Sequence, residues 1–414
     1  ASGSHEPRTA VNAARWAVAA LCVVVTIGLA TAQGPTAVWR HHGIGAGRGQ
    51  LRATSWNQLM EREMLARRLI EDHEGVESSL GFQATGSLSL IVNGRSDGST
   101  RGDAQTQVGL SLLPALVHGG VKSAFIVGLG TGESAGWLGT VPGVERVDVA
   151  EIEPAVKEFV RRAAAANHDV LKNPKVHVII GDGREALATS RTTYVLIVAE
   201  PSNPYRSGVA GFYTRDFYTS VKSKLKAGGI YAQWLQAYEI DADAIQIAVA
   251  TAADTFTDVS AWRLETGDML LLCRTDKAPI DVARMRSLLA LEPFATFEKR
   301  ILRHNGVEGI MSRAIANDAF RRSFAAGAFA INSDDEPALE MSFAQSVGHV
   351  LENRLNEMLT LTVARHEVLP ETTEPIDEDA LAPLRGRSWT ASSRQPANQI
   401  SNDPLESAWG AGDI

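Results

Sequence analysis

Cysteine is almost missing from this chain: Cys22 and Cys273 are the two in 414 residues. That excludes a disulfide framework and a zinc site built from cysteines. Aromatic side chains are sparse at 6% while glycine reaches 36 residues, which favours turn-rich α/β construction over an all-β sandwich. Positive charge is in deficit, with 40 Lys and Arg against 48 Asp and Glu. The resulting net charge of −8 argues against a general nucleic-acid binder, which is usually basic. No repeat of solenoid period is present. What remains is an ordinary globular composition, 44% hydrophobic and 21% charged, which excludes wholesale disorder. At about 150 residues per unit the length allows two or three units.

Long apolar runs are scarce as well, with one exception. Trp16 to Ala32 carries no charge, and as a helix it would span about 25 Å, the lower limit for crossing a membrane. Three readings compete: a membrane anchor, a signal peptide with Ala30-Thr31-Ala32 as its cleavage site, and the core helix of a soluble domain. Arg40, Arg48 and Arg52 follow the run and outnumber Arg8 and Arg15 before it, so an anchor would keep the downstream chain cytoplasmic. A soluble cytoplasmic protein is the alternative. Residues 1–50 thus form a leader and anchor-like segment.

Residues 51–105 read as a helix and a small β unit. Met60, Met64, Leu65, Leu69 and Ile70 recur at helical spacing, predicting a surface helix over Glu61–Glu71. Ser87–Gly94 predicts a strand and turn, followed by a polar glycine-rich stretch to Gly102. From Ser123 onward, apolar runs alternate with helical segments: Ala124–Val127, Val147–Ile152, Val176–Ile180, Tyr194–Ala199, Ile230–Trp234 and later Leu270–Cys273. Unbroken apolar strands with helical connections predict an α/β fold, a parallel sheet with helices on both faces. This unit runs over residues 106–342. Residues 343–414 read as a helix and an acidic tail that serves as a linker or draped extension.

The chemistry is expected where the strands end. Ala124–Val127 runs into Gly128-Leu129-Gly130-Thr131-Gly132 and a helix start, a turn that lets backbone N–H groups approach a ligand. A dinucleotide site prefers G-x-G-x-x-G, but Glu133 occupies the third glycine position, so a nucleoside without pyrophosphate fits better than NAD. Glu151, at the end of the next strand, is placed to accept both ribose hydroxyls, and Glu153 to stand at the following helix start. In Gly181-Asp182-Gly183, Asp182 is placed to accept from an adenine amino group. After the fourth strand, Glu200 is the candidate base and Asn203 a neutral hydrogen-bonding partner, on a loop stiffened by Pro201 and Pro204. Gln233, Trp234 and Tyr238 form a candidate acceptor wall. The bland alternative is three ordinary turns with solvated acids, a cap at Glu200, and core packing at Trp234 and Tyr238.

These motifs, in this order, resemble the spermidine synthase (polyamine aminopropyltransferase) family over about Leu51 to Glu340, most of all bacterial members fused to a membrane region. The matching residues are Gly128-Leu-Gly130-Thr-Gly132, Glu151-Ile-Glu153-Pro154, Gly181-Asp182-Gly183-Arg184, Glu200-Pro-Ser-Asn203-Pro204 and Gly228-Gly229 through Trp234. The resemblance implies a class I methyltransferase-like (Rossmann-like) sheet behind a small β domain, a homodimer, and a bacterial inner-membrane setting. It implies an S-adenosyl nucleoside donor, with Gly128, Gly130, Thr131, Gly132, Glu151, Asp182 and Gly183 holding it. It also implies a small amine acceptor near Asp103. The departures have a direction. Thr131 stands where the family has the Asp that holds the donor's amine. Asp103 keeps one acid of the acceptor motif, while Ala104, Gln107, Val108 and Gly109 replace the rest, and Asn203 replaces a second Asp. Fewer carboxylates and a neutral glycine loop predict intact S-adenosylmethionine rather than its decarboxylated form as donor, and an acceptor other than a plain diamine. Methyl transfer and a non-catalytic nucleoside sensor are the alternatives. Asn332-Ser333-Asp334-Asp335-Glu336, read as an acceptor rim or a helix cap, has no accompanying histidine, and no metal is expected.

Overall fold

The computed structural model describes residues 8–31, 69–84, 86–203, 208–238, 240–265, 267–320, 330–346, 355–377, 380–381 and 383–385. Pro204, the predicted helix up to residue 68 and the tail from 386 lie outside them. Helix α1 covers Arg8–Thr31, and its side chains from Asn12 to Ala30 are exposed, Trp16 by 77% and Leu29 by 72%. The apolar run is therefore not a core helix among the described residues.

The first sheet is antiparallel, with β1 (Leu69–Glu74), β2 (Ser79–Ala84), β3 (Leu88–Val92) and β4 (Arg95–Ser99) in chain order. Two expectations are corrected here. Leu69–Glu71 belongs to a strand rather than to the end of a helix, because its backbone pairs with β2. The polar stretch after Gly94 is not loop: Asn93 and Gly94 take φ of 48° and 83°, the two left-handed residues of a tight hairpin, and return the chain along β3.

The second sheet orders its strands β12-β10-β11-β9-β8-β5-β6-β7. Strands β5 (Ser123–Val127), β6 (Arg146–Glu151), β7 (Val176–Ile180), β8 (Tyr194–Ala199) and β9 (Leu225–Gln236) are parallel. Beyond them β11 (Asp268–Arg274) runs antiparallel to both β9 and β10 (Asp258–Arg263), with β12 (Ala314–Ala316) at the edge. Both faces are covered, so every residue of β5 and β8 is buried. Ala124 and Ile126 face one core while Phe125 and Val127 face the other. Burying each large apolar side chain contributes about 2 kcal/mol, which is why these runs carry no polar alternation. This is the Rossmann-like methyltransferase type of fold. Strand order reverses between β5 and β8, and in open α/β sheets ligands bind beyond the carboxyl ends at such a point.

Helix α2 (Ala104–His118) is buried along nearly its whole length and packs across β9. Its apolar composition on all sides matches that burial. Its first turn delivers Asp103, Thr106 and Gln107 to the switch point.

Candidate active site at the switch point

After β5 the glycine loop enters helix α3 (Glu133–Thr140) with φ of 91°, 51° and 82° at Gly128, Gly130 and Gly132, a backbone that side chains resist. Space is open above Gly130 and Gly181, where an added Cβ would meet no atom within 4 Å. Glu151, buried at the end of β6, accepts from the Leu129 N–H at 2.9 Å and the Glu153 N–H at 2.8 Å. Burial raises its pKa against these bonds. Each oxygen keeps acceptor capacity for a hydroxyl. Asp182 is exposed and caps helix α4 (Gly183–Thr189) through the Glu185 N–H at 2.8 Å. Gly183 is buried against β5, where a Cβ would sit 2.8 Å from Val127 Cγ1. Thus Gly128, Gly130, Thr131, Gly132, Glu151, Asp182 and Gly183 lie together beyond three adjacent strands. Glu153 does something else: its oxygens accept from Val76 N at 2.6 Å and Glu77 N at 2.7 Å, tying the β1–β2 turn to the main sheet rather than serving the next helix.

Thr131 and Gln107, two of the departures from the family pattern, meet each other. The Thr131 hydroxyl donates to Gln107 Oε1, and both side chains are buried. Beside them the Ser134 hydroxyl contacts the Gln107 carbonyl at 2.8 Å and Glu200 Oε2 at 3.0 Å. Glu200 therefore sits next to the glycine loop, at the end of β8.

Around Glu200 the fold gathers Asp103, expected near the acceptor, with three acids to which sequence reading gave no site role, Asp97, Glu133 and Asp268. Asp268, at the start of β11, accepts from Thr106 Oγ1 at 2.6 Å and from Trp234 Nε1 at 3.1 Å. Asp97, on β4, accepts from the Ser202 hydroxyl. Glu133 is fully buried, and neither carboxyl oxygen has a hydrogen-bond partner. Asp103 accepts from the Ser99 N–H at 2.7 Å. Burial, followed by the charges of Asp103, Asp268 and Asp97, pushes Glu200 up to about 8 against its Ser134 bond. Burial also pushes Asp268 up to about 6, with Asp103 adding to it. Burial first, then the charges of Glu200 and Asp103, holds Glu133 well above the usual carboxylate range. Like charges in a partly dry site cannot all ionise, so the cluster favours protonated carboxyls.

The other candidates separate. Trp234 belongs to the cluster through Asp268. Tyr238 receives a 3.4 Å bond from Arg95 Nη2 at its hydroxyl. Gln233 alternates to the opposite face of β9 and donates to the Phe212 carbonyl at 2.9 Å, so it does not join Trp234 in a single wall. Asn203 is buried and donates to Gln236, which bonds onward to the Tyr238 carbonyl at 3.1 Å. It anchors the loop after Glu200. The segment around Asp334 lies elsewhere: Asp334 pairs with Arg184 at 2.6 Å, and Asn332 Oδ1 accepts from the Leu339 N–H at 3.1 Å, capping the helix at Ala338–Ser346.

Fold and site together define a methyltransferase-type α/β domain with a glycine loop, a carboxylate after β6 and an acid cluster at the switch point. Residues 106–263 match the family described as spermine/spermidine synthase domain. Over 125 residues it is 32% identical to a polyamine aminopropyltransferase of Nitrosomonas europaea, a match covering 30% of this chain and 38% of that protein. A polyamine aminopropyltransferase of a Thermoanaerobacter species is 33% identical over 118 residues, 28% of this chain and 42% of the relative. The thermospermine synthase ACAULIS5 of Arabidopsis thaliana is 28% identical over 144 residues, 34% and 42% of the two chains. The chain therefore spans about two fifths of the length of these relatives. The spermidine synthase structure from Thermotoga maritima covers 71% of this chain and 88% of its own, at 14% identity and a TM-score of 0.48.

Proposed function

We propose that the domain transfers an alkyl group from an S-adenosyl nucleoside to an amine, as an aminopropyltransferase does. One observation carries this: Glu200, bonded to Ser134 beside the glycine loop, stands among Asp97, Asp103, Glu133 and Asp268. A cluster of carboxyls, with Glu200, Asp103, Glu133 and Asp268 raised, is a site for a cation. The open space over Gly130, the left-handed loop and the Glu151 carboxylate fit a nucleoside, with Asp182 and Gly183 at the next strand end. When bound, the donor supplies an electrophilic carbon beside a sulfonium, whose carbon–sulfur bond breaks with its electron pair going to sulfur. The protein orients the partners and handles the proton. An ammonium entering the cluster favours the ionised form of Glu200, which then takes the proton the amine must lose before its lone pair can form the new carbon–nitrogen bond. Ser134 fixes the carboxylate, while Trp234 and Thr106 hold Asp268 for the substrate's charge.

The neutral Thr131–Gln107 pair supports a donor that retains its carboxylate, because no fixed anion opposes it there. Helix α1, apolar and uncovered over 19 residues at mean hydropathy 2.0, supports an anchor that leaves the catalytic domain cytoplasmic. A homodimer completes the reading. Incubation with labelled S-adenosylmethionine or its decarboxylated form, plus a panel of amines, tests it by mass spectrometry. Methylthioadenosine with an N-alkylated amine is expected. S-adenosylhomocysteine would establish methyl transfer instead, and binding of a donor without its consumption would favour a sensor.

A further inference from the structure

Beside the acid cluster, at the first turn of α2, lies a second charge pattern, of opposite sign. A recess beside the first turn of α2 is lined by Arg101, Ala104, Gln105, Glu265, Arg300 and Arg303. Arg101 and Arg300 are exposed and form no ion pair among the described residues. Next to the recess lies buried Arg313, which donates through Nη2 to Gln105 Oε1 at 3.0 Å and to the Leu302 carbonyl at 3.0 Å. Its Nε is buried without a partner, as is Nε2 of His304. Arg263 is buried close by, and its charge and that of Arg313 add to burial in pushing His304 down to about 4. Against these five arginines the recess holds a single carboxyl, Glu265, pushed up to about 7 by burial.

Recess and acid cluster share one helical turn. Ala104 and Gln105 follow Asp103 and precede Thr106, which bonds Asp268, and Glu265 senses the charges of both Asp103 and Asp268. Asp103 of the cluster and Gln105 of the recess are two residues apart, about 3 Å of helix rise. The site is thus a dipole, negative toward Glu200 and positive toward Arg101 and Arg300.

We propose that the acceptor is an amine that also bears an anionic group, with the amine at Asp103, Glu200 and Asp268 and a carboxylate at Arg101 and Arg300. This rests on the transferase reading and names its substrate class. A plain diamine would set its second ammonium against the arginines, whereas a zwitterion gains at both ends. The guanidinium fork matches a carboxylate in geometry as well as charge.

Calorimetry with methylthioadenosine present tests it, using ornithine and putrescine, which differ by one carboxylate. Ornithine is expected to bind at least about tenfold more tightly, a single favourable charge contact's worth. The double variant Arg101→Gln, Arg300→Gln is expected to erase that preference while methylthioadenosine binds as before, which shows that the variant is folded. Equal or tighter putrescine binding by the unmodified protein, or a carboxylate preference that survives the double variant, overturns the proposal. If neither amine binds while the nucleoside does, the transferase reading fails together with it. If putrescine is bound and alkylated with no dependence on the arginines, only the zwitterion assignment fails.

Discussion

Replacing Glu200 by Gln should make the protein more stable at alkaline pH while abolishing transfer. The folded state holds this carboxyl at about 8 against an ordinary glutamate value of 4.5. Below pH 4.5 both folded and unfolded chains carry the proton, and Glu200 imposes no penalty. Between 4.5 and about 8 the unfolded chain has lost the proton and the folded one has kept it, so stability falls as pH rises and levels off above 8. At about 1.4 kcal/mol per pH unit the interval gives a ceiling of about 5 kcal/mol. Glu200 borders an open site, and water there reduces this to about 2 kcal/mol. Glutamine keeps the shape and can still accept from Ser134 Oγ, so the variant removes the titration with little repacking. Urea denaturation at pH 4.5 and pH 8.5 reads the effect. The variant should match the parent at the lower pH and exceed it by about 2 kcal/mol at the higher one. Asp268 and Glu265 are also raised and act in both proteins, whereas Glu133, which the Glu200 charge helps to raise, relaxes with the substitution, so the difference reads Glu200 together with its coupling to Glu133. If the two midpoints move in parallel between the two pH values, Glu200 is not the raised group, and its placement as the poised base falls.

Three further outcomes follow from the same geometry. The pH profile of kcat/KM should rise with pH and level near 8, where free Glu200 ionises, and a flat profile from pH 6 to 8 would contradict this. Glu153→Ala should cost about 2–3 kcal/mol, because two backbone donors lose a carboxylate acceptor; faster amide exchange at Val76 and Glu77 would localise the loss to the β1–β2 turn. Thr131→Asp should shift donor preference toward decarboxylated S-adenosylmethionine by at least about tenfold in calorimetry, since it places a fixed anion where a donor carboxylate would lie.

Much of the sheet was legible because buried strands have no polar alternation to disguise them. Tyr194–Ala199 is buried throughout and matches its sequence bounds, as does the half-exposed edge strand Val176–Ile180, and the glycine loop follows β5 as its spacing implied. Strand β10 was missed: Asp258–Arg263 carries charges at both ends, and Asp258 and Arg274 satisfy each other across β11 only after folding. The same reason hid half of the site. Asp97 lay in a stretch that reads as turn, Glu133 read only as the residue that spoils a dinucleotide motif, and Asp268 flanked a strand without belonging to any motif. Thr106 and Asp268 are 162 residues apart, and no local pattern pairs them. Glu153 shows the converse error, a residue inside a motif whose partners belong to a different sheet.

That hidden half changes what the departures from the family pattern mean. Counting motif positions alone, Gln107, Asn203 and Thr131 describe a site depleted of carboxylates, hence a poor host for any cation. Electrostatics depends on where charges end up, not on which element carries them. Asp97 from β4, Asp268 from β11 and Glu133 from the glycine-loop helix converge with Asp103 on Glu200, so the cation-binding capacity is redistributed rather than lost. What has changed is its direction. On the proposed acceptor, the acids would take one ammonium, while Arg101 and Arg300 in the recess beside the first turn of α2 would favour an anion over a second ammonium. On the proposed reading, transfer chemistry at Glu200 would be kept while the acceptor is exchanged by moving charges on the periphery, with the sheet untouched.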